Sequence, residues 1–166
     1  MTSEHARHGA LRAAIGLLTV SDTRTEATDA SGAEARRLLT EAGHAIAGYA
    51  ILPDEPEKVA AQVKAWLGSS EIEAVVVHGG TGVSKRDRTF EALAGQIERP
   101  LPGFGELFRM LSFEEVGAAA MLSRATAGVA SGKPLFVLPG STKAVTLALS
   151  KLILPALPHL LGELRR

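Results

Sequence analysis

The sequence predicts an α/β domain built on a largely parallel β-sheet. Short apolar runs typical of buried strands alternate along the chain with amphipathic helical patterns. Of the 166 residues, 46% are hydrophobic and 22% are charged, close to the average of globular domains. This length fits one domain better than two, since domains usually have roughly 100–150 residues. We expect a flexible polar tail over residues 1–12 and a single domain over residues 13–166.

The composition excludes several classes of protein. The absence of cysteine excludes disulfides, thiolate metal sites and cysteine nucleophiles. Lys and Arg number 18 and so do Asp and Glu, and this zero net charge disfavours nucleic-acid binding. No uncharged apolar run reaches the ~18 residues of a membrane helix, and the N-terminus lacks the apolar centre of a signal peptide. We therefore expect a cytoplasmic protein with no membrane or nucleic-acid partner.

The first three predicted elements are a strand, a helix and a strand. Residues 15–20 form an apolar run that predicts a buried strand. Ser31 and Glu34 have the spacing of a capping box, in which each side chain bonds the other residue's free amide. They predict the start of a helix that ends at Gly43. Residues 44–52 predict the second strand.

The middle of the chain predicts a helix, a strand and a shorter helix. Apolar residues recur at helical spacing until Gly68, which closes the first of these helices. Its apolar residues are Val59, Val63, Trp66 and Leu67. Residues 74–77 are β-branched and apolar on both faces, so they predict a fully buried strand. A short helix follows, with Phe90, Leu93 and Ile97 as its apolar residues.

The last third predicts two helices, a strand and a final helix. Residues 104–111 present one apolar helical face. Ser112 and Glu115 form a second capping box, which predicts a separate alanine-rich helix. Residues 135–138 predict the last strand, and a long helix that ends at Leu154 follows it.

Small residues and acids follow four of the predicted strands. In open α/β sheets, ligands collect at the carboxyl ends of the strands. Free backbone amides and carboxylates are what a phosphate and its Mg²⁺ require. These strand ends are Ser21-Asp22, Pro53-Asp54-Glu55, Gly79-Gly80-Thr81-Gly82 and Pro139-Gly140-Ser141-Thr142.

The glycine loop over residues 79–82 matches neither common phosphate-binding fingerprint. Ser84 stands where a Walker A loop needs glycine, and Lys85 stands where a dinucleotide fingerprint has its third glycine. The loop therefore has two interpretations. It lets the backbone approach a ligand closely, or it is only a sharp turn between a strand and the next segment.

Two aspartates near this loop also have a functional and a structural interpretation. Cations at residues 85, 86 and 88 would keep Asp87 ionised for a metal and would neutralise phosphate; alternatively, the segment is a solvated loop in which Asp87 or Thr89 caps a helix. Asp54 follows a strand directly, but with Glu57 it could form only a helix cap. Ser123 and the following arginine could bind an anion or simply end a helix.

No side chain is an obvious activated nucleophile. The histidines show no metal-ligand spacing, so zinc is not expected, and no Ser-His-Asp order is convincing. The residues favour a reaction in which a substrate supplies the nucleophile while the protein positions phosphates and neutralises charge.

Seven motifs, in this order, resemble the MoaB/MogA family of molybdenum cofactor biosynthesis proteins. They are Ser21-Asp22, Asp29-Ala30-Ser31-Gly32, Pro53-Asp54-Glu55, Gly79-Gly80-Thr81-Gly82 with Asp87, Pro102-Gly103-Phe104-Gly105-Glu106, Ser123-Arg124 and Pro139-Gly140. The resemblance spans residues 15–154. Residues 103–117 and 139–143 are similar to the MoaB branch in particular.

The resemblance implies a three-layer α/β/α sandwich that forms homotrimers, or hexamers made of two trimers. It also implies a molybdopterin adenylyltransferase, in which the phosphate of molybdopterin attacks the α-phosphate of Mg-ATP to give adenylyl-molybdopterin and pyrophosphate. A separate enzyme would then insert the metal. The alternatives are a molybdopterin carrier without catalysis and another nucleotide-processing use of the same fold.

The resemblance also implies roles for individual residues. Asp54 and Asp87 match the two catalytic aspartates, with Asp54 assigned to Mg²⁺ and ATP and Asp87 to the catalytic loop. The expected phosphate and nucleotide cradle consists of Gly79, Gly80, Thr81, Gly82, Lys85, Pro139, Gly140 and Ser141. The expected pterin or adenine contacts are Ser21, Asp22 and Ser123. His78 departs from the family, which commonly has threonine before the glycine loop.

Overall fold

The computed structural model describes residues 11–166. Most of the predicted tail, residues 1–10, lies outside the described residues. The strands are β1 (Ala14–Val20), β2 (Ala45–Leu52), β3 (Ala74–His78), β4 (Arg99–Pro100), β5 (Thr126–Ala130) and β6 (Lys133–Leu138). The helices are α1 (Ala30–Glu41), α2 (Pro56–Gly68), α3 (Thr89–Ala94), α4 (Pro102–Val116), α5 (Thr142–Ala148) and α6 (Leu154–Leu164). A 3₁₀ segment, Gly117–Leu122, follows α4, and a π turn, Leu149–Ile153, joins α5 to α6.

The six strands form one mixed sheet in the order β2-β1-β3-β6-β5-β4. The first four strands are parallel, and β5 and β4 add antiparallel at one edge. The predicted α/β class is confirmed. The sequence did not predict β4 or β5, because β4 has two residues and β5 is rich in alanine and glycine, which are poor strand formers.

Helices cover both faces of the sheet, which gives the expected three layers. Successive residues of a strand point to opposite faces, so Leu17 and Leu18 of β1 enter different apolar cores. The core around Leu17 includes Leu39 of α1 and Leu149 of the π turn. The core around Leu18 includes Val59 of α2. The loops that follow the four parallel strands consequently meet at one edge of the sheet.

The predicted start of α1 is wrong by two residues. Asp29, not Ser31, is the N-cap, and its Oδ1 accepts a hydrogen bond of 3.0 Å from the Gly32 amide. A capping side chain must precede the first helical turn, whereas Ser31 already lies inside the helix and is fully buried. Its hydroxyl is therefore available for other contacts.

The second capping box is also wrong. Ser112 lies within α4, which continues without a break to Val116 and ends at Gly117, whose φ of 65° stops the helix. The alanine-rich segment is the 3₁₀ turn that follows. The apolar residues of α4 do not share one buried face, because Phe108 is 1% exposed but Leu107 is 47% exposed.

The last helical stretch runs past the predicted end at Leu154 and continues to Leu164. Pro155 lies in the first turn of α6, where its missing amide is tolerated because the π turn rearranges the preceding hydrogen bonds. Within the described part of the chain, Thr142–Leu164 is 23 residues with mean hydropathy 1.6, long and apolar enough to cross a membrane by length and composition alone. Its side chains at Val145, Leu149, Ile153 and Leu157 are fully buried in the core. This periodic burial is typical of a core helix.

Candidate functional site

The loops after the parallel strands are tied together at the carboxyl edge of the sheet. The Ser21 amide donates to the carbonyl of Leu52 at 2.8 Å, and the Gly79 amide donates to the carbonyl of Leu138 at 2.9 Å. The four strand ends singled out from the sequence therefore adjoin one another. Gly79 has a φ of 106°, and a Cβ there would lie 2.1 Å from the Val20 carbonyl oxygen, so only glycine fits.

Asp54 lies at the centre of this edge and is 8% exposed. Each of its carboxylate oxygens lies 3.3 Å from the backbone amide of Arg88, which donates to them. Burial raises the pKa of Asp54 above its ordinary value, and the nearby charges of Asp87 and Asp22 add to the rise. The structural interpretation of Asp54 as a helix cap is wrong, because Glu55 is the N-cap of α2 and no side chain caps it.

Gly80 brings two oxygen atoms together. A Cβ at Gly80, whose φ is 68°, would overlap the Thr89 hydroxyl and come within 2.5 Å of Asp54 Oδ2. Thr89 is fully buried, and its hydroxyl has no hydrogen-bond partner among the described residues. An unpartnered buried hydroxyl beside a buried carboxylate is unusual, because each normally satisfies its hydrogen bonds.

Asp87 is half-buried and braces the turn that follows the glycine loop. Its Oδ2 accepts a hydrogen bond of 3.1 Å from the Ser84 amide, and a Cβ at Gly82 would lie 2.8 Å from the same oxygen. Neither Asp87 nor Thr89 caps α3, since the N-cap is Arg88 and makes no side-chain bond. The helix-cap interpretation of these two residues is therefore wrong, whereas residues 83–86 and Arg88 are exposed to solvent, as the loop interpretation expected.

Asp22 organises the same edge from the loop after β1. Its Oδ1 accepts the Asp54 amide at 3.1 Å, and its Oδ2 accepts two hydrogen bonds from Arg86, of 3.0 and 2.6 Å. The hydrogen bonds from Arg86 are the main reason that the pKa of Asp22 is lowered. The position of Arg86 in the sequence had suggested a pairing with Asp87. In the structure Arg86 pairs with Asp22 instead.

Arg124 holds the glycine loop in place. Its Nε donates to the Gly82 carbonyl at 3.0 Å, its Nη2 donates to the Asp87 carbonyl at 2.7 Å, and its Nη1 pairs with Glu91. Its amide also donates to the Thr81 carbonyl at 3.1 Å. A positively charged cavity of 340 Å³ opens beside these groups and is lined by Val83, Ser84, Lys85, Asp87, Arg88, Glu91 and Arg124.

The three predicted serine contacts use their hydroxyls locally. Ser21 Oγ accepts the Thr23 and Arg24 amides at 3.3 and 3.1 Å, and Ser141 Oγ caps α5 by accepting the Ala144 amide at 3.1 Å. Ser123 Oγ accepts the Ala125 amide at 3.3 Å. The last two serines nevertheless line one cavity of 210 Å³ together with Pro139.

The remaining members of the predicted cradle meet at the backbone. A Cβ at Gly140 would lie 3.1 Å from the Gly79 Cα, so the two glycine-containing loops are in contact. Thr81 is buried and Lys85 is exposed. The expected cradle is therefore contiguous from residues 79–82 to residues 139–140.

A buried polar network lies directly beneath the glycine loop and was missed by the sequence reasoning. His78 is fully buried, with Nε2 2.9 Å from Thr19 Oγ1 and Nδ1 3.4 Å from Ser31 Oγ. Burial lowers the pKa of His78 to about 4. Asp29 Oδ2 accepts the hydroxyls of Thr19 and Tyr49, at 2.5 and 2.6 Å. Burial raises the pKa of Asp29, but these hydrogen bonds outweigh burial and lower it.

One sequence signal could have revealed this network. Thr19 and His78 are polar residues near the ends of strands that are otherwise apolar, and they pair across β1 and β3. Two polar residues on the same buried face of adjacent strands must satisfy each other. Arg24 and Tyr49, by contrast, reach the network from a loop and from β2, and no local pattern predicts them.

The donor atoms at Asp54 fit a magnesium ion. Mg²⁺ takes oxygen ligands and usually combines one or two carboxylates with substrate phosphates and water. Among the described residues no three His, Cys, Asp or Glu side chains form a metal-binding group. Asp54 would therefore hold the ion together with substrate oxygens, beside the unpartnered hydroxyl of Thr89.

The fold and this edge define a three-layer α/β protein with a carboxylate- and glycine-lined site. Residues 16–159 match the family model "Probable molybdopterin binding domain". The molybdenum cofactor biosynthesis protein B of Halalkalibacterium halodurans is 48% identical over 149 residues, covering 89% of this chain and 88% of the relative. The chain therefore belongs to the MoaB/MogA family of molybdenum cofactor biosynthesis proteins.

Two solved structures are similar over nearly the whole chain. A crystal structure of molybdenum cofactor biosynthesis protein B superposes with a TM-score of 0.90 at 46% identity, covering 94% of this chain and 96% of that one. The tungsten cofactor synthesizing protein MoaB of Pyrococcus furiosus gives a TM-score of 0.83 at 36% identity, covering 93% of this chain and 98% of that one.

Proposed function

We propose that this chain acts in molybdenum cofactor biosynthesis as a molybdopterin adenylyltransferase. A phosphate oxygen of molybdopterin forms a bond to the α-phosphorus of ATP, the bond from that phosphorus to the pyrophosphate oxygen breaks, and pyrophosphate leaves. The observation that carries the proposal is the placement of Asp54 and Asp87 against the glycines of one loop, within a family of molybdopterin-binding domains.

The main barrier to this reaction is the repulsion between two anionic substrates. Bound Mg²⁺ supplies charge neutralisation at the reacting phosphates. Asp54 would hold that ion from a buried position, where a charge interacts more strongly than it does in water. Glycine at positions 80 and 82 lets the loop backbone pack directly against the carboxylates of Asp54 and Asp87, where a Cβ would collide. Lys85 lines the adjoining cavity and adds positive charge.

Asp87 acts through the shape of the loop and through its own charge. Its carboxylate accepts a hydrogen bond of 3.1 Å from the Ser84 amide, which fixes one side of the turn. Arg124 fixes the opposite side of that turn. The cradle is therefore built before substrate binds, and little reorganisation is needed during the reaction. The loop at Pro139 and Gly140 completes the nucleotide side.

We also propose that the chain, as one domain over residues 13–166, assembles in the cytoplasm into homotrimers or hexamers. Several large apolar side chains of α4 and the 3₁₀ segment are exposed. They are Leu107, Met110, Phe113, Val116, Met121 and Leu122. A patch of this kind commonly marks a protein–protein interface. The adenylylated product would pass to a separate enzyme that inserts the metal.

Pyrophosphate release from Mg-ATP tests the proposed reaction. Wild-type protein should release pyrophosphate only when molybdopterin is present, and Asp54→Ala should abolish the release. Glu57→Ala is a matched control, because Glu57 is an exposed acid in the first turn of α2. Molybdopterin binding without pyrophosphate release would contradict the proposed adenylyltransferase activity and indicate a molybdopterin carrier without catalysis. ATP consumption without molybdopterin would indicate another nucleotide-processing enzyme.

A further inference from the structure

Arg24 lies beside the Gly140 end of the cradle, in the loop between β1 and α1. Its amide donates to Ser21 Oγ at 3.1 Å, which fixes the loop backbone. Its Nη1 donates to the Gly140 carbonyl at 3.0 Å and to Ser31 Oγ at 2.5 Å. Gly140 in turn rests on Gly79. One nitrogen of the guanidinium thus anchors Arg24 to the Gly140 loop and to Ser31 of α1.

The other edge of the guanidinium is free. Within residues 11–166, Nε and Nη2 of Arg24 have no hydrogen-bond or ion-pair partner, and 30% of the side chain is exposed. The same edge of Arg86 binds Oδ2 of Asp22 with both nitrogens. Two parallel N–H groups of arginine match two oxygens of a phosphate. Arg24 therefore presents an anchored, unused anion-binding fork next to the cradle.

The buried network beneath the loop explains how this fork is held. Thr19 gives its single hydroxyl hydrogen to Asp29, so Thr19 must accept from His78 Nε2. The other nitrogen of the neutral ring, Nδ1, is then an acceptor, and the Ser31 hydroxyl lies 3.4 Å both from this nitrogen and from Asp29 Oδ1, to one of which it donates its hydrogen. Ser31 Oγ remains an acceptor for Arg24. Thr19 and Ser31 each donate one hydrogen bond and accept another, and the chain of hydrogen bonds ends at the guanidinium.

The charges of the network leave the fork available to a ligand. Among the described residues, Asp29 is the only acid that forms an ion pair with Arg24, at 3.6 Å between Nη1 and Oδ1. Its carboxylate already accepts hydrogen bonds from Thr19, Tyr49 and the Gly32 amide. His78 is neutral at physiological pH, because burial lowers its pKa to about 4. It therefore adds no positive charge that would compete for an anion.

We propose that Arg24 is a phosphate-binding residue, whose Nε and Nη2 bind a phosphate group of a substrate at the Gly140 end of the cradle. The inference rests on the proposed function, because both of its substrates carry phosphate. The group is either the phosphate of molybdopterin or a phosphate of ATP. Ser31 and His78 are positioning residues that orient the fork.

Calorimetric titration of the full chain with molybdopterin, Mg-ATP and inorganic pyrophosphate tests the site. Arg24→Ala should lower the binding affinity for one of the two substrates by tenfold or more. The substrate affected identifies which phosphate Arg24 binds. Arg24→Lys keeps the charge but loses the fork, so it should recover only part of the affinity. Ser31→Ala removes one anchor of Arg24 and leaves the hydrogen bond to the Gly140 carbonyl, so it should weaken binding of the same substrate by a smaller factor. Arg37→Ala is the control, since Arg37 is an exposed arginine of α1 paired with Glu34 and Glu41.

Circular dichroism and thermal melting establish that each variant is folded. The inference is overturned if folded Arg24→Ala or Arg24→Lys binds all three compounds within twofold of Arg37→Ala, or if wild-type protein binds none of them. Loss of binding in Arg24→Ala without any pyrophosphate release by the wild type would overturn the adenylyltransferase and leave the phosphate site standing. Normal pyrophosphate release by Arg24→Ala at subsaturating substrate would overturn the proposed phosphate site. The proposed adenylyltransferase activity would still stand.

Discussion

Both carboxylate oxygens of Asp54 lie 3.3 Å from the backbone amide of Arg88. This contact is long for a hydrogen bond, and it is the only one that the structure gives to the carboxylate among the described residues. A buried acid with such weak support remains costly to ionise. Asp54 thus has the environment of a group that awaits a positively charged ligand.

Asp54→Asn should therefore raise the melting temperature at pH 7 and lower activity by at least a hundredfold. The raised pKa of Asp54 means that its ionised form destabilises the fold, so stability is lost as pH rises through that pKa. Asparagine removes this penalty. In melting curves recorded from pH 7 downwards, the difference in melting temperature between Asp54→Asn and wild type should shrink as Asp54 becomes protonated. Added Mg²⁺ with ATP should stabilise wild type more than the variant, and an equal effect on both would contradict the role of Asp54.

His78 predicts a second pH dependence, with the opposite sign. The buried ring has a pKa of about 4, below the ordinary value of 6.5, so the unfolded chain binds a proton that the folded chain does not. Stability should fall as pH drops from about 6.5 to about 4. His78→Gln should flatten this slope and should cost about 1–3 kcal/mol at pH 7, because it leaves buried partners unsatisfied.

Urea unfolding at several pH values measures this slope. His44→Gln is the matched comparison, since the pKa of His44 is also lowered by burial but its ring lies away from the cradle and accepts the Ala13 amide. Only His78→Gln should also weaken substrate binding, through Ser31 and Arg24. An unchanged pH slope in His78→Gln would show that the ring is not the titrating group.

The exposed apolar side chains predict the effect of a charge on assembly. Phe113 is 61% exposed and Met121 is 75% exposed. Phe113→Asp should convert the proposed trimer or hexamer to smaller species, because burying an unpaired carboxylate in an interface is unfavourable. Light scattering after size-exclusion chromatography measures the mass. Val83→Asp, at an exposed residue beside the glycine loop, is the control, and an unchanged mass in Phe113→Asp would exclude this surface as the interface.

The sequence predicted the parts of the fold that depend on local patterns. The β-branched run of β3 and the helical spacing of Val59, Val63 and Leu67 gave correct elements, because burial on a regular period is a local property. The Ser112 capping box failed because the pattern is also compatible with the interior of a helix. Which backbone amides remain free for a cap is decided by where the helix begins.

The candidate site shows the same division. The glycine loop and Asp54 were recognisable because their residue types are characteristic of strand ends. The pairing of Arg86 with Asp22, and the reach of Arg24 to Gly140, join residues far apart in the chain. Such contacts follow from the order of the strands in the sheet. No spacing within one segment encodes them.

Gly80→Ala tests the geometry of the cradle directly. The new Cβ would collide with the Thr89 hydroxyl and the Asp54 carboxylate, and the φ of 68° disfavours any side chain. The left-handed conformation alone costs about 1–2 kcal/mol, and displacement of Asp54 should reduce activity by at least a hundredfold. Gly95→Ala is the matched control, because nothing lies within 4 Å of a Cβ there and its φ is −71°. If Gly80→Ala kept wild-type activity, the close contact between Gly80, Asp54 and Thr89 would have no part in the reaction.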